Sequence, residues 1–266
     1  MSIAGNIAVT GLMAAQTRID VVAQNLANLK TTAFQKWMVE TSDLFYSQVK
    51  RAGIVTNNSA GSVSPVGVQI GTGAEVTGVY RLLEQGSLKK TGDPLSIAIN
   101  GAGYFAINLP NGRTGYTRAG NFQINGTTRA ITDPQGNELA DGIQIPAGIQ
   151  LQNVNITQDG TVTATDQNNQ LVPIGQINLI TFANDRGLEN IGGNLLVQTD
   201  ASGDPTATIP GQDGVGLLSQ YYVEESNVNS VTELTDLIDA QRAYEFNSKV
   251  LQANNEVQKM AGDIYK

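Results

Sequence analysis

The chain contains no cysteine and no histidine among its 266 residues. Without cysteine, neither disulfide bonds nor thiolate chemistry can hold or drive the fold. Without histidine, the commonest general base and the commonest metal ligand are both missing. The length is sufficient for one large domain or two smaller ones, each with its own core. These absences disfavour a disulfide scaffold and the most frequent kinds of hydrolase and metalloenzyme.

Excess positive charge and long apolar runs are also missing. The net charge is -8 and the pI is near 4.5, with lysine and arginine scattered along the chain. A nucleic-acid partner is therefore not expected. No run approaches the roughly 20 apolar residues of a membrane span, so we predict no transmembrane segment. The N-terminus lacks a basic region, and Asn6 and Thr10 interrupt its apolar stretch, so we expect no cleavable signal peptide.

Proline and glycine are scarce at both ends of the chain and frequent in the middle. All 8 prolines and 26 of the 29 glycines lie between positions 46 and 224. This distribution predicts long terminal helices and a central region of short antiparallel strands, an α+β fold. We expect an N-terminal helix with the start of a linker (1–45), an extended loop or hairpin segment (46–75), a β-rich domain (76–224) and a C-terminal helix (225–266).

Apolar residues at alternating steps of three and four form a coiled-coil seam near each end. The N-terminal seam comprises Leu12, Ala15, Ile19, Val22, Leu26 and Leu29, and the C-terminal seam comprises Ala243, Phe246, Val250, Ala253, Val257, Met260 and Ile264. The two helices could pair within one chain or between subunits, and the pattern alone leaves both open. Asn25, Asn28 and Asn247 lie on or beside the seams, where a buried asparagine favours one register over others.

Local signals place the start of the C-terminal helix and the turns of the central region. The helix is expected to begin near Ser226 or Ser230, since Ser230 followed by Glu233 fits a capping box. Asp159-Gly160 predicts a hairpin turn, and the stretch "LPNGRTGYT" predicts another. The stretch "LSIAINGAGYFAINL" predicts two strands interrupted at Asn100-Gly101. The middle should therefore be built largely of hairpins.

Candidate chemical motifs are weak. The stretches "GVQIGTG" and "GNIAVTG" match neither a phosphate-binding loop nor a dinucleotide fingerprint. "TDASGDP" resembles half of a calcium loop but lacks the later bidentate glutamate. Asp159, Asp185 and Glu189 could supply paired carboxylates for hydrolysis, although turn and loop positions explain them better. We therefore predict no catalytic residue, no cofactor and no metal ion.

Several motifs, in order along the whole chain, resemble those of the rod and hook proteins of the bacterial flagellum. They are "VVAQNLANLKTTAFQK" (21–36), "LLEQGSLKKTGDPLSIAINGAGYFAI" (82–107), "GYTRAGNFQI" (115–124) and "SNVNSVTELTDLIDAQRAYEFNSKVL" (226–251). The signature residues at the two ends are Asn25, Leu26, Ala27, Asn28, Thr31, Phe34, Gln241, Arg242, Ala243, Tyr244, Glu245, Asn247, Ser248 and Lys249. Within this family the sequence is most similar to the distal-rod group. One departure is Ala33, where the family often has glycine.

The resemblance implies a structural subunit and no enzyme activity. It implies that the terminal helices form a coiled coil between subunits, in a stiff helical homopolymer that transmits torque from motor to hook. The seam residues Leu12, Ile19, Val22, Leu26, Leu29, Phe246, Val250, Val257, Met260 and Ile264 would then carry polymerisation. A distal-rod insertion at 51–71, with Ala52, Gly53, Ser62, Pro65, Gln69 and Gly71, would stiffen the rod.

The same resemblance implies partners and a location. The expected partners are further copies of the chain, proximal-rod proteins, hook protein and the ring bushings of the periplasm and outer membrane. The expected location is the basal-body rod, from the periplasm to the outer membrane, reached through the flagellum's own export channel. The alternatives are a proximal-rod or hook-like axial subunit and, in a different class, a monomeric extracellular β-domain that binds or hydrolyses carbohydrate.

Overall fold

The computed structural model describes residues 3–51, 55–57, 62–63, 66–166 and 170–264. Along the chain, a helix comes first, a region rich in strands follows, and a second helix comes last. This confirms the predicted order of elements. The chain forms two compact units. Unit 1 contains residues 1–27, 37–80 and 229–266, and unit 2 contains residues 28–36 and 81–228.

The N-terminal helix α1 spans Ile3–Ala27. Its predicted seam extended to Leu29, and this part of the prediction is wrong because Leu29 lies beyond the helix end. Asn28 and Thr31 form a local turn there: the Thr31 amide donates to the Asn28 carbonyl (3.1 Å), and the Thr31 hydroxyl donates to Asn28 Oδ1 (3.1 Å). Such side-chain bonds compete with the helical pattern and end it.

The C-terminal helix α2 spans Ser230–Ile264, a length of 35 residues. Its N-cap is Asn229, whose Oδ1 accepts hydrogen bonds from the amides of Val231 (3.0 Å) and Thr232 (3.3 Å). The predicted capping box of Ser230 and Glu233 is therefore wrong by one residue. Glu233 is fully buried and its Oε2 accepts a hydrogen bond from Asn25, so the cap that the structure shows is the Asn229 side chain.

The strands of unit 1 form three nested antiparallel pairs. They are β1 (Trp37–Asp43) with β6 (Ala74–Arg81), β2 (Tyr46–Lys50) with β5 (Val68–Gly71), and β3 (Val55–Asn57) with β4 (Ser62–Val63). In the second pair Tyr46 lies opposite Gly71, and a bulge shifts the register between Gln48 and Lys50. The part of segment 51–71 that the structure describes is thus largely β-structure.

Unit 2 contains one seven-stranded sheet and several smaller ones. The large sheet has the order β11-β12-β13-β9-β10-β19-β18, a three-stranded sheet has the order β14-β15-β16, and the remaining pairs are β17-β20, β21-β8 and β22-β7. The strands are β7 (Leu88–Lys90), β8 (Ile97–Asn100), β9 (Phe105–Asn108), β10 (Thr114–Thr117), β11 (Gln123–Ile124), β12 (Ile131–Thr132), β13 (Glu138–Leu139), β14 (Val154–Ile156), β15 (Thr161–Thr165), β16 (Leu171–Gln176), β17 (Leu179–Thr181), β18 (Glu189–Gly192), β19 (Leu195–Val197), β20 (Thr206–Thr208), β21 (Leu217–Gln220) and β22 (Tyr222–Glu224).

Two predicted hairpins are confirmed and one prediction needs correction. Strands β14 and β15 pair antiparallel around Asp159-Gly160, and β9 pairs with β10 across the turn at residues 109–113. The strands before and after Asn100-Gly101 both exist, but they do not pair with each other. Instead β8 pairs with β21, more than a hundred residues away, and β9 pairs with β10 and β13. A local turn signal cannot reveal a partner that distant.

The apolar core of unit 2 lies between these sheets. Phe105 and Phe122 are buried and meet edge to face, with ring centroids 5.0 Å apart. Ile97, Ile99 and Ile107 surround them and are completely buried. Each fully buried side chain of this kind contributes on the order of 2 kcal/mol through removal of apolar surface from water.

Ala33 has a left-handed backbone, with φ at 55° and only 9% of its surface exposed. Its amide donates to the carbonyl of Glu224 (2.8 Å), which holds this conformation in place. A left-handed residue with a Cβ atom costs roughly 1–2 kcal/mol relative to glycine. Alanine in place of glycine at this position therefore strains the backbone of unit 2 locally.

We predict that Ala33→Gly stabilises unit 2 by about 1 kcal/mol, raising its Tm by about 2–4 °C, because glycine removes the strain. Differential scanning calorimetry measures the change. Ala106→Gly is the matched control: Ala106 is equally buried, at 8%, but has an ordinary φ, so its loss should lower Tm. A lower Tm for both variants would contradict the prediction.

Candidate interaction surface

In unit 1, α1 packs antiparallel against α2 through small and polar side chains. The buried positions of α1 include Gly5, Ala8, Ala15 and Val22. At Gly11 the helices approach so closely that an added Cβ would lie 2.8 Å from Oδ1 of Asn247. A side chain at position 11 would have to displace the Asn247 side chain, and no sequence pattern predicted this close approach.

Asn25 is the polar centre of this packing and is completely buried. Its Oδ1 accepts a hydrogen bond from the Trp37 amide (2.9 Å), and its Nδ2 donates to the Trp37 carbonyl (2.9 Å) and to Oε2 of Glu233 (3.0 Å). One side chain thus joins the end of α1, the start of β1 and the first turn of α2. A buried amide satisfied in this way specifies a single register.

The predicted C-terminal seam is turned away from α1. Along α2, the apolar residues Phe246, Val250, Val257 and Met260 are 63%, 50%, 59% and 58% exposed. The side of α2 that packs on α1 carries Glu233, Ala240 and Asn247 instead. Adjacent helix positions differ by about 100°, so Phe246 and Asn247 belong to different sides of α2. An apolar stripe therefore faces solvent along the helix.

The predicted N-terminal seam has a different environment. Val22 is buried, whereas Leu12, Ile19 and Leu26 are half-buried on α1. Ile264 ends α2, and its side chain lies outside the described part of the structure. The N-terminal seam thus takes part in packing within the chain, in contrast to the exposed C-terminal one.

The C-terminal signature residues divide in the same way. Gln241, Arg242, Tyr244 and Glu245 are exposed and have no side-chain partner among the residues that the structure describes. Lys249 lies over the ring of Phe246, with Nζ 5.9 Å from the centroid. The half-buried members are Ala243, Asn247 and Ser248. The signature residues of α2 are thus partly exposed and partly half-buried.

The N-terminal signature residues surround the end of α1. Ala27 is exposed, and Leu26, Asn28, Thr31 and Phe34 are half-buried. Within unit 2 the Phe34 carbonyl accepts from the Asn227 amide (3.2 Å), and Oδ1 of Asn227 accepts from the Lys36 amide (2.6 Å). Nδ2 of the Asn227 side chain also donates to the carbonyls of Leu82 and Glu84. The stretch "SNVNS" contains this residue, but sequence patterns did not single it out.

The β2–β5 pair of unit 1 presents exposed apolar side chains. Phe45, Tyr46, Val49 and Val68 are 90%, 57%, 65% and 48% exposed. Of the predicted stiffening residues, Gln69 and Gly71 lie in β5 and Ser62 in β4. Ala52, Gly53 and Pro65 lie outside the described residues. Within the described part of segment 51–71, the exposed large apolar side chains are Val66, Val68 and Ile70.

Unit 2 contains a buried ion pair that the sequence analysis did not foresee. Nε and Nη2 of Arg118 each lie 3.0 Å from Oε2 of Glu224, and both side chains are almost fully buried. Arg118 also donates to the carbonyls of Gly101 and Gly103, while Oε1 of Glu224 accepts from the Gly86 amide. Every charge is matched by several hydrogen bonds, as burial of an ion pair requires.

A second buried arginine lies beside Tyr104 in the same unit. Arg81 donates to Oε1 of Gln35 (3.0 Å) and to the Asp185 carbonyl (2.9 Å). Burial lowers the pKa of Arg81 and raises the pKa of Tyr104 to about 12. The tyrosine hydroxyl thus stays protonated at neutral pH, and the cluster is a structural polar core.

Structural roles explain the positions of the three carboxylates considered for hydrolysis. Asp159 accepts hydrogen bonds from the hydroxyls of Thr157 and Thr161 in a hairpin turn, and these bonds lower its pKa. Burial raises the pKa of Asp185, whose carbonyl holds Arg81. Glu189 is exposed on β18. Among the described residues no cluster of three or more acidic groups could hold a metal ion.

Comparison with known proteins gives the family. Residues 6–35 match the model "Flagella basal body rod protein", residues 98–164 the D1 domain of "Flagellar hook protein FlgE/F/G", and residues 219–263 the model "Flagellar basal body rod FlgEFG protein C-terminal". The flagellar basal-body rod protein FlgG of Caulobacter vibrioides is 43% identical over 94% of each chain. The chain belongs to the FlgG family of flagellar basal-body rod proteins.

Other relatives agree with this assignment. A FlgG from Buchnera aphidicola (subspecies Schizaphis graminum) is 42% identical over 93% of this chain and 94% of its own. The rod protein FlgF of Caulobacter vibrioides is 33% identical over 94% of this chain and 92% of its own. The solved Helicobacter pylori flagellar hook protein FlgE2 covers 71% of this chain and 43% of its own, with 12% identity and a TM-score of 0.25, a superposition too loose to support an argument.

Membership in the FlgG family confirms the predicted class of function. The chain is a structural rod subunit of the flagellar basal body and not an enzyme. No helix in the described part of the chain has the length and apolarity needed to cross a membrane. The matched regions at the two ends, 6–35 and 219–263, contain most of α1 and most of α2.

We predict that Asn25→Ala destabilises unit 1 by about 3 kcal/mol, because it leaves buried polar groups of Trp37 and Glu233 without the amide that satisfies them. Trp37 is the only tryptophan, so urea unfolding followed by its fluorescence reports this site. Asn6→Ala, at an exposed position of the same helix, is the control and should change stability by less than about 0.5 kcal/mol. Equal midpoints for the two variants would refute the role of Asn25.

Proposed function

We propose that this chain polymerises through unit 1 into the stiff helical tube of the distal rod, which transmits torque from the motor to the hook. The observation that supports this most directly is the exposed apolar stripe of α2. Family membership makes the chain a rod subunit, and the stripe supplies a surface by which such a subunit could assemble.

In an isolated subunit, exposure of the stripe to water is unfavourable in free energy. Phe246, Val250, Val257 and Met260 are all at least half exposed on one helix, and burial of such side chains is worth about 25 cal/mol per Å² of apolar surface. Large exposed apolar patches mark sites of association in soluble proteins. A coiled-coil contact with α1 or α2 of neighbouring copies would bury the stripe, because seam residues at steps of three and four fit such a partner.

The exposed signature residues beside the stripe add specificity to this contact. Arg242 and Glu245 carry opposite charges and have no partner among the described residues. Charged groups that flank an apolar seam determine partner choice and orientation more than they add stability. A head-to-tail contact of this kind, repeated without closure, produces a helical filament.

The degree to which α1 and α2 are stably folded should depend on assembly of the rod. Long helices with a narrow apolar seam are marginally stable alone in water, so α1 and α2 would gain stability when they join the rod. A chain of this kind could pass unfolded through the flagellum's own export channel and fold at the growing end.

The position of the rod in the basal body indicates its further partners. We propose contacts with proximal-rod proteins at one end, hook protein at the other, and ring bushings around the rod between the periplasm and the outer membrane. Segment 51–71 would lock neighbouring subunits and keep the rod straight, and the exposed apolar side chains of β2 and β5 support this role. Greater identity to FlgG than to FlgF favours the distal rod over another axial position.

We predict that Val250→Asp abolishes polymerisation while the monomer stays folded, because Val250 is 50% exposed and contacts no core. A carboxylate in a buried seam costs several kcal/mol. Sedimentation and negative-stain electron microscopy measure filament formation. Gln252→Asp introduces the same charge on another side of α2 and should assemble normally. Filaments formed by Val250→Asp would refute the seam.

Deletion of residues 51–71 should leave export intact but give a curved, hook-like rod, because the proposed lock between neighbouring subunits is lost. Electron microscopy of purified basal bodies measures rod shape. The reference is a strain without the gene, in which we expect a truncated rod with incomplete rings and no hook. A straight, normal rod after the deletion would count against the stiffening role, and normal basal bodies in the reference strain would count against the whole proposal.

A further inference from the structure

Helix α2 extends beyond α1 in the antiparallel pair of unit 1. Asn25 bonds to Glu233, and Gly11 abuts Asn247, fourteen residues further along each helix in opposite directions. In this register Ile3, where α1 begins, lies level with residue 255. The following residues of α2 therefore have no part of α1 opposite them, over a length of roughly 12 Å.

This end of α2 is helical and lies beyond the start of α1. All side chains from 255 to 263 are exposed. Two of them, Val257 and Met260, are apolar and are 59% and 58% exposed, one helical turn apart on one side. Burial of these two side chains against another surface would remove their apolar area from water, which is favourable.

Unit 1 also has an apolar groove, formed where the β2–β5 pair meets the two helices. Ile7 and Gly11 of α1, Tyr46 and Ile70 of the strand pair, and Asn247 of α2 line it. Next to the groove, Gly73 seats the strands against α1, because a Cβ there would collide with Oγ1 of Thr10. None of the lining residues carries a formal charge at neutral pH, so the groove suits an apolar occupant.

The helix end cannot occupy the groove of its own chain. Asn247 lines the groove and belongs to the same helix as Val257, ten residues along, so the two sites are separated by about 15 Å of continuous helix. An occupant from this sequence must therefore come from a second copy. Every subunit carries one such groove and one such helix end.

We propose that the groove receives the end of α2, at Val257 and Met260, from the next copy of the chain. The proposal rests on the proposed polymerisation and names the surface on which one part of the seam is buried. Because groove and helix end are different surfaces, the contact is heterologous and repeats along an open filament. The contact also places the β2–β5 pair against a neighbouring subunit, where it could resist sliding.

The absence of cysteine permits a direct test by disulfide cross-linking between singly substituted chains. Met260→Cys is mixed with a size-tagged Ile70→Cys chain, and the mixture is oxidised mildly. We expect a mixed disulfide dimer at least about tenfold more abundant than with Gln69→Cys, the neighbouring strand position, because successive strand side chains point to opposite faces. Lys259→Cys, one helix position from Met260, is the second control and should also cross-link poorly.

The outcomes separate this contact from the rod function. The selective cross-link supports the contact, whether or not filaments form. Filaments without it, equal yields with Gln69→Cys, or an Ile70→Cys dimer in place of the mixed one would each overturn the contact and leave the rod function standing. If neither filaments nor the cross-link form, both proposals fail. Circular dichroism of each variant confirms that the substitutions leave the fold intact.

Discussion

Packing of α1 on α2 through small and polar side chains leaves the apolar stripe of α2 in water. Within unit 1 the close approach of Gly11 to Asn247 and the buried amide of Asn25 define the pair, and the exposed apolar stripe of α2 takes no part in it. A subunit can therefore have a folded helical unit and still expose an apolar surface to water. In the proposed rod, neighbouring subunits would bury that surface.

Asparagine side chains hold the places where the chain changes direction. Asn25 binds both backbone groups of Trp37, Asn229 caps α2, and Asn227 joins residues 34–36 to residues 82–84 within unit 2. An amide can donate and accept at once, so it substitutes for missing backbone partners at turns and helix ends.

Unit 2 is stabilised in another way, by an apolar core with a buried ion pair at its margin. Arg118 and Glu224 satisfy backbone groups of distant segments as well as each other, so the pair links parts of the chain that no strand joins. Removal of one partner would leave a buried charge, which is far more costly than the pair is stabilising. Ala33, held by the Glu224 carbonyl, shows that the same region tolerates local strain.

The sequence alone determined the terminal helices, the β-rich middle and the family, because periodicity, turn residues and motif order are local properties. It also located the apolar stripe at Phe246, Val250, Val257 and Met260. Only the tertiary structure decided which side of α2 meets α1, that β8 pairs with β21, and that Arg118 meets Glu224. Helix and strand patterns identify the residues that seek a partner, but the partner itself depends on long-range packing, in which a glycine or a buried amide can outweigh a row of apolar side chains.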